Sequence, residues 1–123
     1  MRKSVILSSA LALSVLGLPA LAQDLDDALA GARNTIGLLE YCQAEGHIDG
    51  AAIEVQNKIV AMLPAAGDAD KVEAAYAKGK EGILSVNGVE QNIKDADAQG
   101  SSQAEVCKQM SDALIAMGAQ LPQ

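Results

Sequence analysis

The sequence predicts a small all-α domain over residues 23–123, a four-helix bundle-like fold in which one disulfide joins the first and last helices. Aliphatic residues recur at helical spacing in four segments that are separated by turn-forming residues. Half of the 123 residues are hydrophobic but only two, both Tyr, are aromatic, so the core must consist of aliphatic side chains and alanine. The only two cysteines, Cys42 and Cys107, lie in the first and last of these segments.

The first 22 residues have the pattern of a cleaved signal peptide. Met1-Arg2-Lys3 is a short cationic segment, residues 5–18 form an apolar run, and Ala20-Leu21-Ala22 is a small-x-small cleavage motif. A membrane anchor is the alternative, but a spanning helix needs about 20 apolar residues and Pro19 with the acidic residues after it ends this run early. We therefore expect cleavage near Ala22 and a periplasmic or secreted location.

The charge of the chain argues against several classes of partner. Cleavage would remove two of the 9 basic residues, Arg2 and Lys3, and none of the 16 acidic ones, so the formal charge would change from -7 to -9. Such a charge disfavours nucleic acid and anionic lipid as partners. Because the chain has one His and no nucleophile elbow, phosphate loop or zinc-ligand spacing, we expect neither an enzyme nor a cofactor.

Export to an oxidising compartment predicts that Cys42 and Cys107 form a disulfide. The bridge would close a loop of about 64 residues, for which the chain-entropy model gives roughly 4 kcal/mol of stabilisation. Two free buried thiols are the alternative.

In the first predicted helix, apolar residues recur at spacings of three and four. They are Leu25, Leu29, Ala32, Ile36 and Leu39. Gly46 is expected to end this helix, although the glycines at 31 and 37 weaken its middle and leave a later start open. Asp49 is predicted to cap a second helix over residues 50–63, and Pro64 to end it.

Asp68 or Asp70 is predicted to cap a third helix, which has one apolar face. That face comprises Val72, Tyr76, Gly79 and Ile83. Gly79 and Gly82 are costly in a helix interior, so we expect another backbone to approach there. Asn87-Gly88 indicates a turn; a hairpin is conceivable around it, but the flanking alternation is too short to favour strands.

The last helix is predicted to begin at a capping box formed by Ser102 and Glu105. Its inward face comprises Val106, Met110, Leu114, Met117 and Leu121. Residues 93–102, which precede it, are predicted to be a mobile loop.

This polar segment contains a weak candidate for a calcium loop. Oxygen-bearing side chains alternate before a glycine, Gly100, as they do in calcium loops: Asp95, Asp97 and Gln99, followed later by Glu105. Glu105, however, comes one position before the place of the bidentate carboxylate, and the capping box already explains it. His47 is a candidate pH-sensitive residue because Glu45 and Asp49 flank its turn, although a solvated loop histidine is the favoured interpretation.

Several segments resemble the YjjA-like family of small exported bacterial proteins of unknown function. They are Asn34, Gly37-Leu38-Leu39-Glu40-Tyr41-Cys42, Asn57-Lys58, Tyr76, Gly79, Gly82-Ile83-Leu84, Gly88 and Val106-Cys107. The resemblance covers about residues 34–117, but a longer Ser/Gln-rich stretch typical of the family is nearly absent here. It implies a periplasmic, disulfide-linked helical domain and no catalytic residues.

Two functions follow from these expectations. The first is a non-catalytic envelope protein that acts through protein contacts, as an adaptor or as a small chaperone resembling the acidic HdeA type in outline. In the chaperone version, acid would protonate carboxylates and loosen the bundle. The alternative is an ion or small-ligand binder that uses the loop at residues 95–105.

Overall fold

The computed structural model describes residues 18–122, with side chains from Asp24 onward. The predicted signal peptide lies largely outside these residues. The elements, in chain order, are helix α1 (Leu18–Ala44), α2 (Ala51–Ala61), α3 (Ala69–Lys80), strands β1 (Ile83–Val86) and β2 (Val89–Asn92), a 3-10 helix (Ile93–Gln99) and α4 (Gln103–Gly118). The fold is therefore mostly helical, as predicted, but it also contains a small antiparallel sheet and is not the simple four-helix bundle that we expected.

Helix α1 is the central element, since α2, α3, α4 and β1 all contact it. Leu38 and Leu39, on neighbouring faces of α1, are fully buried in two different clusters of the core. Gly46 has a φ of 80°, and the His47 N–H donates to the Cys42 carbonyl at 3.0 Å, so the predicted glycine does end this helix. No helix within residues 18–122 combines the length and the hydropathy needed to cross a membrane.

Helices α1 and α3 pack with their backbones in contact. A Cβ added at Gly37 would lie 2.3 Å from the Tyr76 carbonyl oxygen, and one added at Gly79 would lie 2.2 Å from that of Asn34. Only glycine fits at these two positions, which confirms the close approach predicted at Gly79. Gly82 has a different role: it follows the end of α3 and has a φ of 85°.

A β-hairpin occupies the segment for which strands were disfavoured. The pairs run from Ile83 opposite Asn92 to Val86 opposite Val89, joined by a two-residue turn. Asn87 and Gly88 have φ values of 51° and 80°, as a type I′ turn requires. The prediction that the third helix includes Ile83 is therefore wrong, because α3 ends at Lys80 and the turn residues favour strand pairing.

A buried asparagine on α1 holds this hairpin. The Asn34 side chain is fully buried, and its Nδ2 donates to the Ala75 carbonyl at 2.8 Å and to the Ile83 carbonyl at 2.9 Å. Its Oδ1 accepts from the Ser85 N–H at 2.9 Å. One amide thus links α1, α3 and β1, and all its hydrogen bonds go to backbone groups.

The disulfide between Cys42 and Cys107 links α1 to α4, with the two Cα atoms 5.6 Å apart. Both cysteines are fully buried in a cluster with Leu38 and Ile93. Ile93 and Ala96 anchor the 3-10 helix, so residues 93–99 are helical and not part of the loop that was predicted over residues 93–102. The Ser102 capping box is confirmed.

Other details of the helices differ from the predictions. Asp68, and not Asp70, caps α3, because its Oδ1 accepts from the Lys71 N–H at 3.0 Å. The N-cap of α2 is Gly50, although Oδ1 of Asp49 accepts from the Ala51 N–H at 3.0 Å. Leu25 and Met117, predicted to face inward, are 48% and 50% exposed.

Candidate functional site

A surface groove of about 420 Å³ lies between α1, α3 and the hairpin. We call it the α3 groove. Its lining consists of Asp27 and Ala30 from α1, Lys71, Ala74, Ala75 and Lys78 from α3, and Ser85, Asn87, Gly88 and Glu90 from the hairpin. Its volume falls in the range of about 300–1,000 Å³ that is usual for ligand sites.

Small side chains form the apolar part of the groove. Ala74 and Ala75 lie on α3 and Ala30 on α1, so methyl groups alone line this part. Ala30 belongs with Leu29 and Val72 to the core cluster that joins the two helices. The base of the groove is therefore joined to the packed core, and its small side chains leave room above it for another molecule.

The groove contains two ion pairs, one near each end of the α3 segment that lines it. Lys71 pairs with Asp27 of α1, and Lys78 pairs with Glu90 of β2. The hydrogen bond to Asp27 raises the pKa of Lys71 above its ordinary value; burial opposes this shift, and the charges of Asp27, Asp26 and Asp68 add to it. The two lysines are seven positions apart along α3, and the helical rise therefore places their Cα atoms about 10.5 Å apart.

The hairpin forms one wall of the groove with the Ser85 and Glu90 pair and the turn residues. Because successive strand residues point to opposite faces, Val86 and Val89 lie on the other face. They are 49% and 71% exposed at the tip, beyond the point where Leu84 packs on the core. The tip thus offers a small apolar surface next to the groove.

Contacts outside the groove fix α3 in place. The Tyr76 hydroxyl donates to Glu40 of α1 at 2.5 Å, and this hydrogen bond, with burial, raises the pKa of Tyr76. Arg33 lies over the Tyr76 ring, 4.4 Å from its centroid, and also pairs with Glu73 at 3.3 Å. Tyr76 therefore joins α3 to α1 through both its hydroxyl and its ring.

The weak calcium candidates do not form a ligand set. Asp95 and Asp97 are exposed on the 3-10 helix, and Gln99 Oε1 accepts from Gln91 at 2.8 Å. Glu105 Oε2 accepts from the Ser102 N–H at 2.9 Å and from the Ser101 hydroxyl at 3.2 Å, and these bonds lower the pKa of Glu105. Within the part of the chain that the structure describes, no group of three or more His, Cys, Asp or Glu residues could hold a metal ion.

His47 lies in the turn after α1 and lines a second, shallower cavity of about 270 Å³. Its Nε2 is 3.4 Å from Nε2 of Gln103, at the start of α4. Asp49, Lys108 and Asp112 also line this cavity. The structure therefore places His47 against α4, with a carboxylate in the same cavity.

Comparisons with known protein families, with curated proteins and with solved structures find no match to this chain. The resemblance to the YjjA-like family therefore stays a prediction. The α3 groove was not predicted from the sequence either. The signal that could have led to it is Asn87-Gly88 between two valines, a strong indication of a hairpin.

Proposed function

We propose that this chain is a non-catalytic protein of the periplasm or of the extracellular space, and that it acts through contacts with a protein partner, as an adaptor or a small chaperone. The observation on which the proposal rests is the α3 groove, an open site built from three elements on a firm base. The disulfide supports an extracytoplasmic location, because such bonds persist in oxidising compartments.

The chemistry of the groove favours binding over catalysis. Its apolar part is made of alanine methyl groups, and its four charged side chains form two ion pairs. Exposed ion pairs of this kind contribute little to stability, so their members can exchange partners at low cost when a ligand arrives. The apolar base and exchangeable charges suit a segment of a protein surface.

The wall formed by the hairpin supports the same conclusion. A two-stranded hairpin is at most marginally stable alone, but Asn34 fixes this one to α1 and α3. A rigid wall costs a partner less ordering entropy than a flexible one.

Four carboxylates around α3 favour the chaperone version, because contributions to stability that are small singly add up over four bonds. Asp27, Glu40, Glu73 and Glu90 each accept a hydrogen bond that joins α3 to a neighbouring element. Acid would protonate these acceptors and weaken the attachment of α3, while the disulfide would keep α1 and α4 linked. Oxidised protein that stays compact and binds no hydrophobic dye at about pH 3 would exclude this version.

The proposal is tested by cross-linked capture from a native envelope extract, with the oxidised domain as bait. Ala74→Leu places a larger side chain in the groove, whereas Ala77→Leu makes the same change at an exposed position of α3 outside it. We expect a protein that is captured by the wild type and by Ala77→Leu and is lost with Ala74→Leu. Capture that is equal for all three baits would contradict the groove as the contact site.

A further inference from the structure

We infer that the α3 groove binds an extended main-chain segment of the partner, which adds to the free part of the β1 edge. The inference rests on the proposed function and specifies the chemistry of the partner. The segment comprises about three residues with small uncharged side chains, and its backbone supplies the recognition.

The register of the hairpin determines which backbone groups of β1 point away from β2. Val86 and Val89 flank a two-residue turn, so they form a hydrogen-bonded pair, and so do Leu84 and Gln91. Ser85 lies between these pairs, and its N–H and C=O therefore point outward. The bond from the Ser85 N–H to Asn34 agrees with this geometry.

Asn34 already occupies the first part of this edge in the way a neighbouring strand would. Its Nδ2 donates to the Ile83 carbonyl, and its Oδ1 accepts from the Ser85 N–H. The next group along the edge is the Ser85 carbonyl, which has no hydrogen-bond partner among residues 18–122. Ser85 lines the α3 groove, so the free part of the edge begins where the groove begins.

The dimensions of the groove suit a short strand. Ala30 and Asp27 lie one and two turns before Asn34 on α1 and line the groove together with Ser85 of β1. The lysines that bound the α3 residues of the groove are about 10.5 Å apart, and an extended chain rises about 3.3 Å per residue, so about three residues fit.

The lining also defines which side chains the segment can have. A side chain that points to α3 meets Ala74 and Ala75, where only glycine, alanine or serine leaves the backbone close to β1. The charged residues lie near the ends of the α3 segment, so the middle of the groove offers no counter-ion to a charged side chain. A segment of small uncharged residues therefore fits best.

The outer edge of β2 is a less suitable site for the same kind of partner. Glu90 and Asn92 supply its outward backbone groups, and a charged side chain on an edge discourages strand addition. Asn92 is also used to cap the 3-10 helix, since its Oδ1 accepts from the Lys94 N–H at 3.0 Å. The β1 edge therefore has a free carbonyl beside the groove, whereas the β2 edge has a charged side chain and leads directly into the 3-10 helix.

The test is a titration of the isotope-labelled oxidised domain with acetyl-Ala-Ser-Ala-Ser-Ala-amide, followed by amide chemical shifts. The matched probe is the same peptide with N-methyl groups on its three central residues, which removes the donors needed for strand addition. We expect saturable shifts at Ser85, Asn87 and Gly88 with millimolar peptide, in the wild type and in Ala77→Leu. The N-methylated peptide cannot donate to the Ser85 carbonyl, and the larger side chain in Ala74→Leu keeps the unmodified peptide away from it. Each change removes one backbone hydrogen bond and leaves the carbonyl without a partner, so we expect the dissociation constant to rise roughly tenfold in either case.

Three results would overturn the inference: equal binding of the two peptides, an affinity of Ala74→Leu for the peptide equal to that of the wild type, or no saturable shift at millimolar peptide. The melting curve of Ala74→Leu, compared with that of Ala77→Leu, establishes that the variant is folded. A partner captured in a groove-dependent way, together with a failed peptide titration, would overturn the main-chain recognition alone and leave the proposed function standing.

Discussion

Replacing Asn34 by aspartate tests how the hairpin is held, because the substitution changes one nitrogen to oxygen and almost nothing in shape. Oδ1 can still accept from the Ser85 N–H, but the two hydrogen bonds that Nδ2 donates are lost. In their place a carboxylate oxygen would face the carbonyl oxygens of Ala75 and Ile83 in a fully buried position.

The expected cost follows from these contacts. Two lost hydrogen bonds cost about 1 kcal/mol each, and the burial of a charge without a partner raises the total to about 3–5 kcal/mol at pH 7. Burial and the facing carbonyls favour the neutral acid, so the folded variant binds a proton more tightly than the unfolded chain. Its stability should therefore rise as the pH falls from 7 toward 5, where the protonated group can donate one bond again.

The assay is urea unfolding of wild type and Asn34→Asp at pH 7 and pH 5, with amide exchange at Ser85 as a local measure. We expect a large difference in the free energy of unfolding at pH 7 that narrows at pH 5. A variant as stable as the wild type at pH 7, or a difference that does not depend on pH, would refute the assignment of Asn34 as the buried anchor.

Three further predictions concern the rest of the molecule. Cys42→Ala should lower the free energy of unfolding by about 2–5 kcal/mol through loss of the disulfide, and Ser102→Ala by about 1 kcal/mol through loss of the cap, both by urea unfolding; two neutral variants would contradict the link between α1 and α4. Because the pKa of Tyr76 is raised on folding, the stabilisation from its bond to Glu40 should be constant between about pH 7 and about pH 10 and decline above it. Unfolding of wild type and Tyr76→Phe across this range measures it, and a gap that persists at high pH counts against the bond. Finally, millimolar calcium should leave the melting temperature unchanged, since Glu105 is engaged in the cap; stabilisation by about 2.7 kcal/mol, as expected for calcium at 100 times its dissociation constant, would restore the ion-binding alternative.

The helix ends could be predicted from the sequence because their signals are local. Each of these signals involves backbone groups only a few residues away. They are Ser102 with Glu105 at the start of α4, Asp68 before α3 and Gly46 after α1. The disulfide was predictable for a different reason, since two cysteines behind a predicted export signal allow only one pairing.

The hairpin was not predicted because its stability is not local. Each strand has four residues, too few for a clear alternation, and the side chain that fixes the edge of β1 is 51 residues from Ser85 in the sequence. The groove depends on the same contact, since its wall exists only where the hairpin is held against α1 and α3. Asn87-Gly88 predicted this segment better than the alternation of the flanking residues, because these two residues readily adopt the positive φ angles that a type I′ turn requires.

The helical spacing of apolar residues did not predict how exposed two of them, one in α1 and one in α4, would be. Leu25 and Met117 follow the helical spacing of their apolar faces, yet both are about half exposed. A repeat predicts which face of a helix is apolar, but not how far along that face the neighbouring elements extend.

The central claim is that the partner binds in the α3 groove, and site-specific photo-cross-linking tests it most directly. A photoreactive amino acid replaces Ser85 in the groove or, as the control, the exposed Asp112 on α4, and each oxidised protein is irradiated in a native envelope extract. The account predicts a discrete cross-linked protein from the groove position, none from the control position, and loss of the product when Ala74→Leu is added. A product that forms equally at both positions, or that survives the added Ala74→Leu, would contradict it.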